Sequence, residues 1–318
     1  MSYIKVKQIS CIIYCFNHLG TSDTGYGIKA RSLRYFRMKM SVVLLSLLTL
    51  QNIAFAGADD YPDTLPNDTR KVRSSSSPDW LEAVGRMVSH TSSTDQEQCS
   101  MTLLNNRPWK DGIIGVTAGH CVDHWRKIGG TYEVRFNEIT FTSNSGKVIK
   151  RAIVEVIKTE MNPADYAIVK LNAPIPRREI QPLLNSPYHY ADILNDEDFS
   201  EKFKSYAIMA GFSADKGLGK KGKVMTYDKC RAVNGGARGL KKAYCYAYEG
   251  ASGGPLVSTV ALNEDTGDIE DDLNLAGTTQ HLFVGSIVGS RGGDDSSKIM
   301  FTEATYYFSF LDNALTRH

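Results

Sequence analysis

Short apolar stretches recur along the chain between turns rich in Gly, Asn and Asp. They are Ile113–Val116, Tyr132–Phe136, Ile149–Ile157, Tyr166–Leu171, Tyr206–Ala210, Leu256–Val260 and Leu282–Val288. Many alternate in polarity or are β-branched, as half-buried strands are, and their close spacing predicts an all-β sandwich or barrel. The pattern changes at both ends. Between Tyr306 and Leu315, apolar residues at Phe308, Leu311 and Leu315 carry a helical period and predict a C-terminal helix. Near the other end an apolar run from Val42 to Leu50 follows Arg34, Arg37 and Lys39 and precedes Ala54-Phe55-Ala56. That order reads as a secretory signal peptide cut after Ala56. A membrane-spanning helix would need a longer run, and Gln51 and Asn52 interrupt this one.

These signals divide the chain into four segments. Residues 1–37 are an upstream extension or a mis-assigned start, since Met38 or Met40 would give the signal peptide an ordinary beginning. Residues 38–56 are the signal peptide. Residues 57–78, rich in Asp, Ser and Pro, form a surface arm or short pro-segment, and residues 79–318 form the folded domain. Two charged stretches, Lys216–Lys223 and Asn263–Asp272, read as solvated hairpin tips. The first lacks the spacing of a phosphate-binding loop, and the second lacks the Gly and terminal Glu spacing of a calcium loop.

Composition adds constraints rather than a new picture. With 42% hydrophobic and 23% charged residues the chain is an ordinary globular protein. Residues 1–56 hold seven of the 37 Lys/Arg and one of the 35 Asp/Glu, leaving 30 basic against 34 acidic side chains in the remainder. The exported part is therefore slightly acidic and offers no nucleic-acid surface. Of six cysteines, Cys11 and Cys15 lie upstream of the signal peptide. Cys99, Cys121, Cys230 and Cys245 follow it, in a compartment where disulfides persist. Four cysteines allow three connectivities, and no C-x-x-C spacing points to a metal.

Three segments carry candidate chemistry. Ser252 lies in Gly250-Ala251-Ser252-Gly253-Gly254-Pro255-Leu256. A serine hydroxyl needs a base to become a nucleophile, and flanking glycines let consecutive N–H groups converge on a developing oxyanion. His120, in Thr117-Ala118-Gly119-His120-Cys121, follows an apolar strand and has the pKa range of a general base. Asp165 opens Asp165-Tyr166-Ala167-Ile168-Val169-Lys170-Leu171, where a carboxylate entering an apolar strand needs a partner such as an imidazole N–H. Taken singly, each has a plainer reading: a Gly-rich turn, a buried histidine, a strand-edge aspartate. His120 and His124 are four apart, but Cys121 stands where a zinc-binding H-E-x-x-H helix needs Glu.

Together the three segments resemble the histidine, aspartate and serine motifs of the trypsin/chymotrypsin superfamily, in that family's order, and the resemblance runs from about Asn67 to about Leu315. Asn67-Asp68-Thr69-Arg70 ahead of Ala83-Val84-Gly85-Arg86, Cys230-Arg231-Ala232-Val233 and Cys245 look like the bacterial glutamyl-endopeptidase-like branch. The resemblance implies two antiparallel six-stranded β-barrels with the triad between them. His120 is then the general base, Asp165 its orienting partner and Ser252 the nucleophile of an exported endopeptidase. It also implies oxyanion donors at Gly250 and Ser252, disulfides Cys99–Cys121 and Cys230–Cys245, and substrate contacts from Tyr246, Ile287, Gly289 and Ser290, with Arg291 beside them. No cofactor or metal is implied. The partners are protein or peptide substrates, met by a monomer that is secreted or periplasmic, with no nucleic acid and no stable membrane insertion after signal cleavage.

Departures qualify the match. Ala251 stands before the nucleophile where trypsin-like zymogens carry the Asp that captures a new N-terminus. Tyr246 replaces the Asp that selects Lys/Arg, and Gly285-Ser286-Ile287-Val288-Gly289 lacks the His of glutamyl-specific enzymes. Uncharged side chains are the expected preference. Two rivals follow: a protease-like binding protein without activity, and an esterase using Asp268 and His281 after a Gly250-x-Ser252-x-Gly254 elbow. The elbow needs a helix after the serine, whereas Pro255, Val257, Thr259 and Val260 favour a strand.

Overall fold

Alternation of buried and exposed residues puts one face of most strands into a core, and in the computed structural model these strands close into two barrels. The structure describes residues 61–90, 96–123, 125, 127–128, 131–132, 136–185, 207–233, 239–262, 278–290 and 298–318. The signal-peptide and upstream segments, His124, Asn263–Asp272 (which includes Asp268) and Arg291 lie outside the described residues.

In chain order the strands are Lys71–Val72 (β1), Val84–His90 (β2), Gln96–Asn105 (β3), Gly112–Thr117 (β4), Lys127–Ile128 (β5), Thr131–Tyr132 (β6), Asn137–Thr142 (β7), Val148–Arg151 (β8), Ile153–Glu160 (β9) and Tyr166–Ile175 (β10). Leu183–Asn185 (β11), Ala207–Gly211 (β12), Thr226–Val233 (β13), Leu240–Tyr244 (β14), Pro255–Leu262 (β15), Thr278–Ser290 (β16) and Lys298–Glu303 (β17) follow. A single helical turn, His120–Asp123 (α1), and the terminal helix Phe308–Arg317 (α2) complete the set.

The first barrel closes through one bent strand. β8 pairs with β7 and β9 with β10, and only Ala152 separates β8 from β9. The remaining antiparallel pairs, β7–β2, β2–β3, β3–β4 and β4–β10, complete the ring. The apolar stretch Ile149–Ile157 thus forms two strands with a corner, because a small barrel must turn its sheet sharply. The second barrel closes in the order β12, β13, β14, β17, β16, β15 and back to β12, all antiparallel. Short β11 runs parallel to both β3 and β16 and joins the two walls. The fold is therefore the all-β pair of six-stranded barrels with a small C-terminal helix.

That helix starts at Phe308, after a 3₁₀ turn at Ala304–Tyr307. It buries Leu311, Ala314 and Leu315, while Tyr307 stacks on Tyr166 of β10 with ring centroids 4.3 Å apart. Residues 61–72 lie along the second barrel, and the side chain of Arg73 reaches the first, donating to Thr142 O at 2.8 Å and Asn144 Oδ1 at 2.9 Å. β1 pairs with β13, and the side chain of Arg70 is completely buried. The Lys216–Lys223 stretch does connect the hairpin β12–β13, but Gly219 and Gly222 are buried there and the turn packs against the arm.

Disulfides Cys99–Cys121 and Cys230–Cys245 each brace one barrel. Cys230–Cys245 spans 15 residues, a loop whose closure stabilises the folded state by about 3 kcal/mol in the chain-entropy model. Replacing both cysteines by serine is expected to lower the unfolding free energy by about that amount. Urea denaturation followed by tryptophan fluorescence measures it.

Candidate active site

Two of the three candidate residues, His120 and Asp165, are hydrogen-bonded to each other, and Ser252 stands on a neighbouring loop whose carbonyl approaches Cys121. Strand β4 ends at Thr117, and the chain turns at once into α1, so His120 sits at a strand end and not within a wall. The Cys99–Cys121 disulfide ties the residue beside it to β3. Asp165 lies immediately before β10, the strand paired with β4, which brings both residues to the same barrel edge.

Both carboxylate oxygens of Asp165 are used. Oδ2 is 2.7 Å from His120 Nδ1, and Oδ1 accepts the His120 backbone N–H at 3.0 Å. This two-point grip sets ring orientation and favours the tautomer with the proton on Nδ1, leaving Nε2 as the acceptor. Asp165 is in turn held by the second barrel. Thr302 of β17 accepts the Asp165 N–H at 3.2 Å and donates to its carbonyl at 2.9 Å.

Burial disfavours the imidazolium of His120. The hydrogen bond and charge of Asp165, with the charges of Glu97 and Asp123, outweigh it and raise the pKa above the ordinary histidine value. Glu97 itself is pushed up by burial and by Asp123 and Glu249, against the pull of His120.

Ser252 stands on the loop between β14 and β15. Glycine is required at two positions of that loop: Gly250 and Gly253 have φ of 88° and 84°, a region that side chains disfavour. The loop's amides alternate. Ala251 N–H donates to Tyr248 O at 3.1 Å and Gly253 N–H to Ile287 O at 2.7 Å. Among the described residues, the N–H groups of Gly250 and Ser252 donate to no protein acceptor. Ser252 Oγ donates to Val288 O at 3.1 Å, and the Ser252 carbonyl lies 4.0 Å from the sulfur of Cys121, next to His120.

The predicted substrate contacts separate. Tyr246 is half-buried, and its N–H donates to Asp228 Oδ2 at 2.9 Å. Ile287 is fully buried in the second barrel's core, so its side chain does not line the cleft; its main chain instead braces Gly253 and Gly254. A side chain at Gly289 would meet no atom within 4 Å, so that position fronts open space, and Ser290 ends β16. Sequence reasoning missed Thr302, Glu97, Asp123, the Val288 carbonyl and Ser100, whose N–H donates to Ser252 O at 2.7 Å. A small polar residue on a strand leaves no periodic signal. His281, nominated for an esterase, bonds Thr259 at 2.9 Å on β15–β16 beside Trp80.

One group of potential metal ligands occurs among the described residues, Cys99, Cys121 and His120, but both sulfurs are committed to the disulfide. The arrangement can take a proton at Nε2 and present two amide donors to an anionic oxygen.

Comparison with known proteins bears on the family and the fold. A family model described as Trypsin matches residues 82–267. None of the curated proteins matches significantly. Among solved structures, one described as "Structure of GrC" is similar with a TM-score of 0.51 and 15% identity, over 79% of this chain and 99% of its own. Another, the crystal structure of protease Anisep from Arthrobacter nicotinovorans, has a TM-score of 0.49 and 14% identity, over 78% and 99%.

The raised His120 pKa has a signed consequence. Folding favours the protonated ring, so its stabilising contribution is complete below about pH 6.5 and is lost as pH rises through the folded-state pKa. NMR titration of the His120 ring is expected to give a midpoint above 6.5, moved down by Asp165→Asn and, by less, by Glu97→Gln.

Proposed function

This chain belongs to the trypsin family, a serine peptidase acting on proteins or peptides, and from that premise we propose that it is an exported endopeptidase working through Ser252, His120 and Asp165. The observation that carries the proposal is the double hydrogen bond between His120 and Asp165. Beside it, through the contact of Cys121 Sγ with the Ser252 carbonyl, lies a loop in which, among the described residues, the Gly250 and Ser252 amides donate to no protein acceptor.

Ser252 Oγ leaves the Val288 carbonyl and attacks the scissile carbonyl carbon while His120 Nε2 takes its proton. The N–H groups of Gly250 and Ser252 hold the oxyanion. Collapse of the tetrahedral intermediate expels the amine, protonated by His120, and leaves an acyl ester on Ser252. Water, deprotonated by His120, then attacks the ester, and His120 returns that proton to Ser252 Oγ as the acid departs. Asp165 stays ionised throughout and stabilises the imidazolium. Each oxyanion donor contributes about 2.7–4 kcal/mol to the barrier reduction.

Within the family we assign the chain to secreted bacterial members related to glutamyl endopeptidases, on Asn67–Arg70 and the Cys230–Cys245 pair. Residues 38–56 serve as the signal peptide, residues 57–78 stay on the mature protein as an arm, and the product acts as a monomer outside the cytoplasm. Tyr246 and Gly289 put no charge in the specificity pocket, which favours an uncharged residue at the scissile bond.

A second reading draws on the Ser252–Val288 contact: a hydroxyl kept there permanently would make a binding protein without activity. A fluorophosphonate probe separates the two. Labelling of the wild type, abolished in Ser252→Ala, supports the enzyme; an unlabelled wild type supports the binder.

Peptide hydrolysis is expected to fall by about 10⁴-fold or more in Ser252→Ala and by about 10⁴-fold in Asp165→Asn. Because neutral His120 is the base and its pKa is raised, the acid limb of kcat/KM should lie above pH 6.5. Profiling with a peptide library reads the specificity, and dominant cutting after Lys/Arg or Glu would refute the uncharged pocket. Sequencing the exported product should find Gly57 first.

A further inference from the structure

Ala251 removes the carboxylate by which a freed N-terminus could order the serine loop, so the loop must be ordered by other means. The arm before β1 supplies a candidate. Arg70 is sealed between two carboxylates, with one guanidinium nitrogen 2.7 Å from Asp68 Oδ2 and 2.9 Å from Asp215 Oδ1; the Arg70 and Asp215 side chains are wholly buried. Its other terminal nitrogen donates to Thr226 Oγ1 at 3.2 Å. The guanidinium lies 4.3 Å from the ring centroid of Tyr248, a cation–π distance.

Tyr248 opens the serine loop. Its hydroxyl accepts the Leu65 N–H at 2.9 Å, its N–H donates to Ser213 Oγ at 3.3 Å, and its carbonyl accepts the Ala251 N–H at 3.1 Å. Asp215, at the other end of the ion pair, anchors the adjoining turn. It accepts from Gly219 N at 3.2 Å and from the Thr64 hydroxyl. That turn contacts the serine loop directly, through Ala214 N–H to Glu249 O at 2.7 Å. A side chain at Gly250 would come within 2.6 Å of Phe212 O. Thr64, Leu65 and Arg70 therefore grip both segments that decide where the Gly250 and Ser252 amides point.

We propose that Arg70 is a positioning residue for the oxyanion loop: bound to Asp215 and laid on Tyr248, it holds the loop in its working form while the arm remains attached, in place of a new N-terminal amine. The inference rests on Ser252 as nucleophile. Its consequence is that the active form retains Thr64–Arg70 and that cleavage after Arg70 or Arg73 is not an activation step.

The test uses the full-length chain, exported and purified with its arm. Wild-type protein that neither reacts with a fluorophosphonate nor hydrolyses peptide overturns the protease reading and this proposal with it. With an active wild type, mass analysis of the probe-labelled species should show Thr64–Arg70 present. An active species beginning at Lys71 or later overturns the proposal while leaving the protease reading intact.

Arg70→Met should lower kcat by about 10²–10³-fold, the loss associated with one oxyanion donor, with KM changed less than threefold and partial rescue in Arg70→Lys. Affinity for a peptide boronate, which places an anionic oxygen in the hole, should fall with kcat. A peptide ligand that leaves the hole empty should bind as before. Should Arg70→Met fail to fold, Tyr248→Leu decides, because it breaks the link to the loop and keeps the ion pair. A kcat per folded molecule within twofold of wild type, in whichever of these variants folds, would reduce Arg70 to a structural role and overturn the proposal.

Discussion

The two barrels share only the short strand β11, so their alignment around the cleft depends on a few further contacts, and the centre of these is Ser100. Its backbone N–H donates to the Ser252 carbonyl at 2.7 Å and its hydroxyl to Gly250 O at 2.9 Å, while that hydroxyl accepts the Phe212 N–H at 2.9 Å. Thr117, at the end of the strand that leads to His120, donates to the Ser100 carbonyl at 2.8 Å. One fully buried serine thus touches the serine loop, the turn beside it and the strand carrying the histidine. Each bond contributes only about 1 kcal/mol net, but a buried polar group left without its partner costs more, so the set is cooperative in effect. Thr302 does the reciprocal work, reaching from the second barrel to the backbone of Asp165.

The charges are arranged to the same end. Asp165 spends both oxygens on His120, so the carboxylate is satisfied on the cleft side and its main chain on the barrel side. On the opposite flank of the serine loop, Arg70 with Asp68 and Asp215 forms a buried group whose members satisfy one another. Burial opposes the charge on Arg70, but the hydrogen bond and charge of Asp68 and Asp215 hold its pKa above the ordinary arginine value; Asp215, despite its burial, is held low by Thr64, Arg70 and Gly219. Such a group is rigid because loss of any one member strands the others. A loop with two left-handed glycines would otherwise have many conformations open to it, and it is clamped from both faces.

How much of this was legible in the sequence depended on range. The strands Ile113–Val116, Tyr166–Leu171 and Leu282–Val288 carry enough β-branched and apolar residues to be seen locally, and each lies within a longer strand. Strand β3 begins with Gln96, Glu97 and Gln98, so its alternation is masked where it borders the cleft. Strand β14, with Lys241 and Lys242, is no better marked and is identified by its pairing with β13 and β17. The triad candidates were visible because their chemistry restricts the residues around them: a tight loop at the serine, a strand end at the histidine. The arm was the opposite case. Asp, Ser and Pro made it read as surface, and nothing within the arm could reveal that Arg70 meets a carboxylate 145 residues later at Asp215. Long-range ion pairs leave no local trace. The burial of the Ile287 side chain was hidden for a related reason, since counting along β16 does not say which face a residue shows once the register shifts between Ile287 and Gly289.

The same geometry explains why position 251 can be alanine. Ala251 is completely buried in the second barrel's core, and a side chain at Gly211 would come within 2.9 Å of its Cα. A carboxylate there would need a cation inserted into a core of small and aliphatic residues, and the arm delivers its cation elsewhere, onto Tyr248 and Asp215. With the charge moved to the outer flank of the loop, the inner position needs only to be small. The substitution that looked like a defect in the sequence is then the complement of the buried arginine: the loop is fixed from the arm side, and the core side closes over a methyl group.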